Sequence, residues 1–409
     1  MVSTFRELVT RTHIGGLASR IYPGLDERLW NRRRDREMLA EVAAANYQVQ
    51  LADLARPVAD RPSHLVVVPQ DGTRAETWKP GGGNFFYEIS QAAREYAGAD
   101  KVTVFPIEPD EPPAVWHVRL IQFLNNSGAT HLAAQIESNP NATGGTNTWD
   151  TCWSQLSTRW DGVFLGVMFD SAFEWVTIGA RRLARISPNF MLVDIGQPMD
   201  CVLVPGRTEV GPVNMPLSNE SLQVIDNYNS GKEKIYDVTF IGSLYPQRVE
   251  LLDNLRSQGA RIAVNPHRPD EVTNFNESRA NQPSYLDYMS GLAQSNMTLN
   301  FSQASAGPIE QLKTRVLEAS LMGCIVLTDD RERTQLFFEP ELEFGYFSGP
   351  EQLVAVVKSF LSDPTKLAAA QHAAKQRARS INVTSFWRGI ETGLRNRGLP
   401  VLSPGKLPG

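Results

Sequence analysis

The sequence predicts an α/β protein with two Rossmann-like, doubly wound parallel-sheet domains that face a cleft. Its 409 residues exceed one ordinary core, since single domains typically run ~100–200 residues. Short, continuous apolar runs alternate with helix-length segments, which is typical of strands buried on both faces of a parallel sheet. The alternation stops between residues 205 and 229, where Pro, Gly and Asn are frequent, and then restarts. We therefore expect a domain boundary in this stretch.

The composition is that of an ordinary globular protein. Hydrophobic residues make up 42% and charged residues 21% of the chain, which excludes disordered, collagen-like and disulfide-scaffold classes. The net charge of −5 argues against a general nucleic-acid-binding surface, so no nucleic-acid partner is expected. The three cysteines form no CxxC pair, which favours a reducing, cytoplasmic location.

Residues 1–60 are predicted to be a helical N-terminal extension. No apolar run reaches the ~18 residues that a membrane span needs, and no secretion signal is evident. A basic cluster lies here, formed by Arg28, Arg32, Arg33, Arg34 and Arg36. A solvated helix is the favoured interpretation, and contact with anionic lipid or a phosphorylated substrate is the alternative.

The first domain is expected over residues 61–215. Its strands are predicted at 64–68, 102–105, 131–136, 163–168 and 190–193, with helices at 85–96, 114–124 and 174–186. The second domain is expected over residues 216–380. Its strands are predicted at 237–241, 261–264, 297–301 and 324–328, with helices at 248–257 and 312–322 and a helical pair over 351–380 broken at Asp363-Pro364. Ligands of such sheets bind outside the carboxyl ends of the strands.

The most informative window precedes the last predicted strand of the second domain. Gly307-Pro308 predicts a turn, after which a helix is expected to start close to Glu310. Free N–H groups at this helix start, together with Lys313, Thr314 and Arg315, are predicted to face the diphosphate of a ligand.

Glu318 lies in the body of this predicted helix among apolar residues. A half-buried carboxylate needs hydroxyl or N–H partners, as a ribose diol supplies.

These residues resemble glycosyltransferases of the group 1 (family 4-like) type, which have the GT-B fold. That family carries two glutamates separated by seven residues, as Glu310 and Glu318 are. The resemblance implies that Glu310 contacts the transferred sugar and that Glu318 holds the ribose of the nucleotide. It also implies that residues 381–409 return to the first domain, around Phe386-Trp387.

The segment from Tyr236 to Arg248 resembles the opening strand and Gly-Ser turn of the same domain in the spore-maturation-protein-like branch. Gly242 allows close approach of the backbone to a ligand, and Ser243 and Arg248 are candidates for phosphate contacts. A tight turn with a solvated arginine is the alternative. His267 is a further candidate for nucleotide contact, and a simple loop residue is its alternative role.

Two features of the first half are candidates for the acceptor side. Gly81, Gly82 and Gly83 follow the first strand and resemble the glycine-rich loop that faces acceptor and donor phosphates in GT-B enzymes, the alternative being a surface turn. Asp170 follows a predicted strand, where it is a candidate base or acceptor contact, or else a helix N-cap.

The resulting prediction is an enzyme of glycan biosynthesis. It would transfer a sugar from a UDP- or GDP-sugar donor to a glycan, lipid-linked or protein acceptor. The resemblance leans towards retention of stereochemistry. No cofactor and no metal are expected, because Lys313, Arg248 and the helix start supply positive charge for the leaving diphosphate. The alternatives are a nucleotide-sugar epimerase of the same architecture and a non-catalytic binding module.

Overall fold

The computed structural model describes residues 25–45, 61–69, 78–108, 111–136, 149–169, 180–181, 183–185, 187–196, 210–266, 284–303 and 310–402. Its elements up to the second sheet are α1 Leu25–Ala44, β1 Leu65–Val67, α2 Phe85–Ala97, β2 Val102–Val104, α3 Pro113–Asn126, β3 His131–Gln135, α4 Asp150–Arg159, β4 Val163–Met168, β5 Phe190–Asp194 and α5 Asn219–Asn229. They continue with β6 Tyr236–Phe240, α6 Pro246–Ser257, β7 Ile262–Val264, α7 Tyr285–Ala293, β8 Ser295–Asn300, α8 Arg315–Leu321, β9 Ile325–Thr328, α9 Arg331–Thr334, β10 Phe344–Tyr346, α10 Pro350–Leu361 and α11 Pro364–Asn396.

The strands form two five-stranded sheets in which all pairs are parallel. The first has the order β2-β1-β3-β4-β5, and the second has the equivalent order β7-β6-β8-β9-β10. The predicted fold class, two doubly wound parallel sheets, is therefore confirmed. We call the parts of the chain around them the first and second domains. The strand order reverses beside β1 in the first sheet and beside β6 in the second, and ligands bind at such points.

Each sheet is covered by apolar side chains on both faces, because successive residues of a strand point to opposite sides. In β1, Val66 packs into one core, whereas Leu65 and Val67 pack into another. In β9, Val326 and Leu327 are divided between two cores in the same way. This double burial explains why the strands are continuous apolar runs.

The last helix, α11, connects the two domains over 33 residues. Ala370 and Ala374 pack in a core of the second sheet, while Phe386 and Trp387 are buried in a core of the first sheet. The predicted break before this helix is present, because α10 ends at Leu361 and Pro364 starts α11.

Several elements differ from the predictions. The helix expected to start near Glu310 begins at Arg315, and a helix, α5, occupies the end of the predicted boundary stretch. The short strand β10 and the helix α7 were not predicted. Most of the helix predicted at 174–186 lies outside the described residues. Within the described residues, no helix is both long and apolar enough to cross a membrane.

Candidate functional site

The turn after β6 lies where the strand order of the second sheet reverses. Gly242 has φ +151, and its N–H donates to Oδ1 of Asn265 at 2.8 Å. A Cβ at this position would lie 3.3 Å from the ring of Phe240 and 3.5 Å from Nη2 of Arg315. Glycine therefore allows the turn to approach both side chains.

Arg248, from the first turn of α6, folds back over this turn. Its Nη1 donates to the carbonyl of Ser243 at 3.0 Å, and its guanidinium carbon lies 4.6 Å from the ring centroid of Tyr245 and 5.0 Å from that of Phe301. Burial lowers the pKa of Arg248, and the neighbouring charge of Arg315 lowers it further. The aromatic rings provide the cation–π contacts that such a desolvated charge favours.

Arg315 is the first residue of α8 and provides a second positive charge at the same turn. Its guanidinium donates to the carbonyl of Ile241, and its buried Nε has no hydrogen-bond partner. Among the residues that the structure describes, no carboxylate lies within 4.0 Å of Arg248 or Arg315. The Asp329 carboxylate raises the pKa of Arg248 from beyond that distance and so offsets part of the positive charge. Two neighbouring guanidinium groups without a carboxylate in direct contact form a candidate anion site.

Glu318 lies one turn further along α8 and is 7% exposed. Its Oε1 accepts a hydrogen bond from the hydroxyl of Tyr285, and its Oε2 accepts one from the hydroxyl of Tyr288, both at 2.7 Å. Burial and the nearby Glu318 carboxylate raise the pKa of both phenols well above their usual range, so both keep their protons. Partners for this carboxylate were predicted, but not that they are tyrosines of the chain itself.

The glycine loop of the first domain contacts this tyrosine pair. Gly83 has φ +72 and lies so close to Tyr285 that a Cβ would be 2.7 Å from the ring. The N–H of Gly81 donates to Oγ of Ser221 on α5 at 2.9 Å. Gly82 contacts its own loop, since its N–H donates to the carbonyl of Lys79. The glycine loop is therefore part of the interface between the domains.

Glu310 lies on a different side of the site. Its Oε2 is 3.3 Å from Nη1 of the buried Arg333, and its side chain is about half exposed. Arg333 also lies 3.2 Å from Asp330. Glu310 is thus anchored by a buried cation while remaining accessible, an arrangement that suits contact with a bound sugar.

The segment between Glu310 and α8 is extended. Glu310 forms an isolated antiparallel bridge with Gln303, and the N–H of Leu312 donates to the carbonyl of Gly196 in the first domain. Lys313 and Thr314 line an interdomain cavity with residues of the first domain such as Ile195 and Met215. The structure therefore does not put Lys313 and Thr314 beside Gly242.

The predicted candidates fall into three groups. Gly242, Ser243, Arg248 and Arg315 surround one turn, and Glu318 with the glycine loop lies at the interdomain face of α8. Glu310, Lys313 and Thr314 occupy the extended segment. Asp170 and His267 lie outside the described residues, so their roles stay predictions.

Sequence reasoning missed Tyr285, Tyr288 and Arg333. The two tyrosines are three residues apart and therefore share one face of α7, a spacing visible in the sequence. Arg333 has no comparable signal, because only the fold brings it to Glu310.

Comparison with known families supports the resemblance seen in the sequence. A family model described as "Glycosyl transferase-like" matches residues 247–384. This region is similar to the glycosyl transferase-like family and makes up about a third of the chain. It contains Arg248, Arg315 and both glutamates, and the match confirms the predicted class of enzyme, a glycosyltransferase. The first domain lies outside the matched region.

Several solved structures are similar to the chain at low sequence identity. Anabaena HepE in complex with UDP and glucose is 12% identical, with a TM-score of 0.49 and coverage of 82% of this chain and 100% of that chain. AviGT4, a glycosyltransferase involved in avilamycin A biosynthesis, is 14% identical, with a TM-score of 0.46 and coverage of 82% of this chain and 98% of that chain.

A putative UDP-N-acetylglucosamine 2-epimerase from Listeria monocytogenes is 9% identical, with a TM-score of 0.43 and coverage of 82% and 98%. We draw no functional conclusion from likenesses of this size. No curated protein matches the chain.

Proposed function

We propose that this glycosyltransferase takes its sugar from a nucleotide diphosphate donor bound at the carboxyl end of the second sheet. The observation that carries the proposal is the pair of neighbouring guanidinium groups of Arg248 and Arg315, without a carboxylate partner among the described residues, beside the turn at Gly242. A diphosphate supplies the directly contacting negative charge that neither guanidinium has. The same charges stabilise the diphosphate as it leaves, when its negative charge increases.

The remaining donor contacts follow from the positions of the two glutamates. A carboxylate accepts about four hydrogen bonds, and the tyrosine hydroxyls use two of the positions on Glu318. We assign the remaining positions to the ribose hydroxyls of the donor. Glu310, accessible and anchored by Arg333, is assigned to the transferred sugar. Metal independence and retention of stereochemistry belong to the same proposal.

The acceptor is assigned to the first domain. The glycine loop follows β1, where the first sheet reverses its strand order, and it faces the second domain. Gly81 and Gly83 pack against the second domain, whereas Gly82 is exposed, so its backbone is the part of the loop that an acceptor hydroxyl can approach. A glycan, a lipid-linked sugar and a protein are the acceptor classes that the proposal includes.

Incubation with UDP- and GDP-sugars tests the proposal. Release of free nucleotide that rises with an added acceptor supports transfer. Isomerised donor without acceptor identifies an epimerase instead, and binding without turnover identifies a non-catalytic module. Arg315→Met should weaken nucleotide binding, whereas Arg379→Met, which removes an exposed arginine paired with Asp226, should not.

A further inference from the structure

The contact between Gly83 and Tyr285 joins the two domains at the residue that holds Glu318. A Cβ built on Gly83 would lie 2.7 Å from Cγ and 2.8 Å from Cδ2 of Tyr285, well inside ordinary contact distance. The backbone of the loop therefore lies directly against one edge of the ring. Any displacement of the loop towards α7 has to move this ring.

The same ring carries the hydroxyl that donates to Oε1 of Glu318 at 2.7 Å. Tyr288 donates to the other oxygen and stacks on Tyr285 with ring centroids 5.7 Å apart. The two phenols thus fix the carboxylate in one orientation. The three atoms nearest to a Cβ built on Gly83 all belong to Tyr285, so the two tyrosines differ in their link to the first domain.

Hydrogen bonds across the domain interface fix the position of the glycine loop. Gly81 donates to Oγ of Ser221, and that hydroxyl donates to the buried Glu88 on α2. Gly83, Glu88, Tyr285 and Glu318 line one small cavity between the domains. The contacts that dock the first domain on α5 therefore belong to the same packed cluster as the contacts that orient the Glu318 carboxylate.

We propose that Tyr285 is a positioning residue that couples the seating of the glycine loop to the orientation of Glu318, and thereby to nucleotide affinity. This inference rests on the proposed function, in which Glu318 accepts from the ribose. The second domain then binds the nucleotide tightly only when the first domain is docked. Binding of the donor and assembly of the acceptor side become linked, which limits hydrolysis of a donor bound without the acceptor domain in place.

A double-mutant cycle tests the coupling, with UDP and GDP as probes in calorimetry on the full chain. Gly83→Ala and Tyr285→Phe should each raise the Kd of the nucleotide by about tenfold, the scale of a hydrogen bond to a charged group. The double variant should bind no more weakly than the weaker single variant, because both changes break the same connection. Tyr288→Phe is the matched control, and its effect should multiply with that of Gly83→Ala.

Backbone strain is controlled with Gly128→Ala. Gly128 is also in the first domain, has φ +68 and has no atom within 4 Å of a built Cβ, so nucleotide affinity should not change. Multiplicative effects of Gly83→Ala and Tyr285→Phe, or a wild-type Kd in Gly83→Ala, would overturn the coupling. Absence of nucleotide binding by the wild-type chain would overturn the proposed function and this inference together.

A second measurement does not require the glycine variant to fold. The wild-type chain should bind UDP more tightly than 2′-deoxy-UDP, and Tyr285→Phe should bring the ratio of their Kd values close to one because Glu318 loses its orientation. An unchanged ratio in Tyr285→Phe overturns the positioning role. A wild-type chain that binds UDP without preferring it over 2′-deoxy-UDP contradicts the ribose assignment of Glu318 instead.

Discussion

The N–H of Ser218 donates to Oε2 of Glu88 at 2.7 Å, although the two residues are 130 positions apart in the chain. Ser218 is the N-cap of α5, so the carboxyl of Glu88 lies at the N-terminus of a helix of the second domain. The hydroxyl of Ser221 donates to the other oxygen. Tyr87 and Glu95, also on α2, hydrogen-bond with residues of the first turn of α5. Helix α2 is therefore docked on α5 through polar groups.

The first prediction concerns the pH dependence of stability. Burial raises the pKa of Glu88 above its usual 4.5, even though the hydrogen bonds from Ser221 and Ser218 lower it. A raised folded-state pKa means that the folded state holds its proton to higher pH than the unfolded state. Stability from this group is therefore complete below pH 4.5 and declines as the pH rises through the folded-state pKa.

Glu88→Gln should remove this decline, because a neutral amide accepts from Ser218 without titrating. Urea unfolding of both proteins between about pH 4 and pH 8 gives the free energy of unfolding as a function of pH. The slopes of the two curves should differ by up to ~1.4 kcal/mol per pH unit. Burial also raises the pKa of Glu95. Its contribution to the pH dependence of stability is present in both proteins and therefore cancels in the comparison. Parallel pH profiles would show that Glu88 titrates normally.

The second prediction concerns the structural role of Glu318. Glu318→Ala leaves the hydroxyls of Tyr285 and Tyr288 without their acceptor and should lower the free energy of unfolding by about 2–5 kcal/mol. Adding Tyr285→Phe and Tyr288→Phe to this variant should recover part of the loss, because the orphaned hydroxyls are gone. Thermal and urea unfolding of the three proteins measures this, and no recovery would mean that the hydroxyls find other partners.

The strands were predictable because both faces of each sheet are buried, which makes the strands continuous apolar runs. The start of α8 was not predictable, because the backbone before it forms hydrogen bonds with residues distant in the sequence. The N–H of Gln311 donates to Ser302, and that of Leu312 donates to Gly196, so both groups are used outside a helix. A Gly-Pro turn in the sequence carries no information about such partners.

The candidate site could also be predicted only in part. Gly242 and Arg248 were candidates because the segment from Tyr236 to Arg248 resembles a strand and turn of a known family, and Arg315 was a candidate because it lies at a predicted helix start. Tyr285 was not found, because its role depends on contact with Gly83, 202 positions earlier by their residue numbers. Contacts across a domain interface are set by docking of surfaces and leave no local spacing to read.

The third prediction is that turnover does not depend on a divalent metal. The guanidinium groups of Arg248 and Arg315 supply the positive charge that the leaving diphosphate requires in the proposed reaction. Nucleotide release from the active donor should therefore continue in EDTA at a rate close to that without it. Loss of turnover in EDTA, with recovery on adding magnesium or manganese, would contradict metal independence without contradicting transfer itself.

The fourth prediction is that Arg248 strengthens nucleotide binding but does not stabilise the folded chain. Burial and the charge of Arg315 lower the pKa of Arg248, which shows that its charged form is disfavoured in the folded chain. Arg248→Met removes the charge while keeping much of the apolar volume over Tyr245 and Phe301. The free energy of unfolding should therefore stay the same or rise, whereas nucleotide binding should lose about 1.5–3 kcal/mol, or roughly ten- to a hundredfold in Kd.

Arg256→Met provides the matched control for this change. Arg256 lies on the same helix, is exposed and pairs with Asp253, so its loss should alter neither nucleotide affinity nor stability by more than about 0.5 kcal/mol. Wild-type nucleotide binding should also weaken with added salt, because partly solvated charges are screened, and Arg248→Met should reduce that salt dependence. If Arg248→Met destabilises the fold and leaves nucleotide affinity intact, Arg248 is a structural residue whose main role is packing against the aromatic rings.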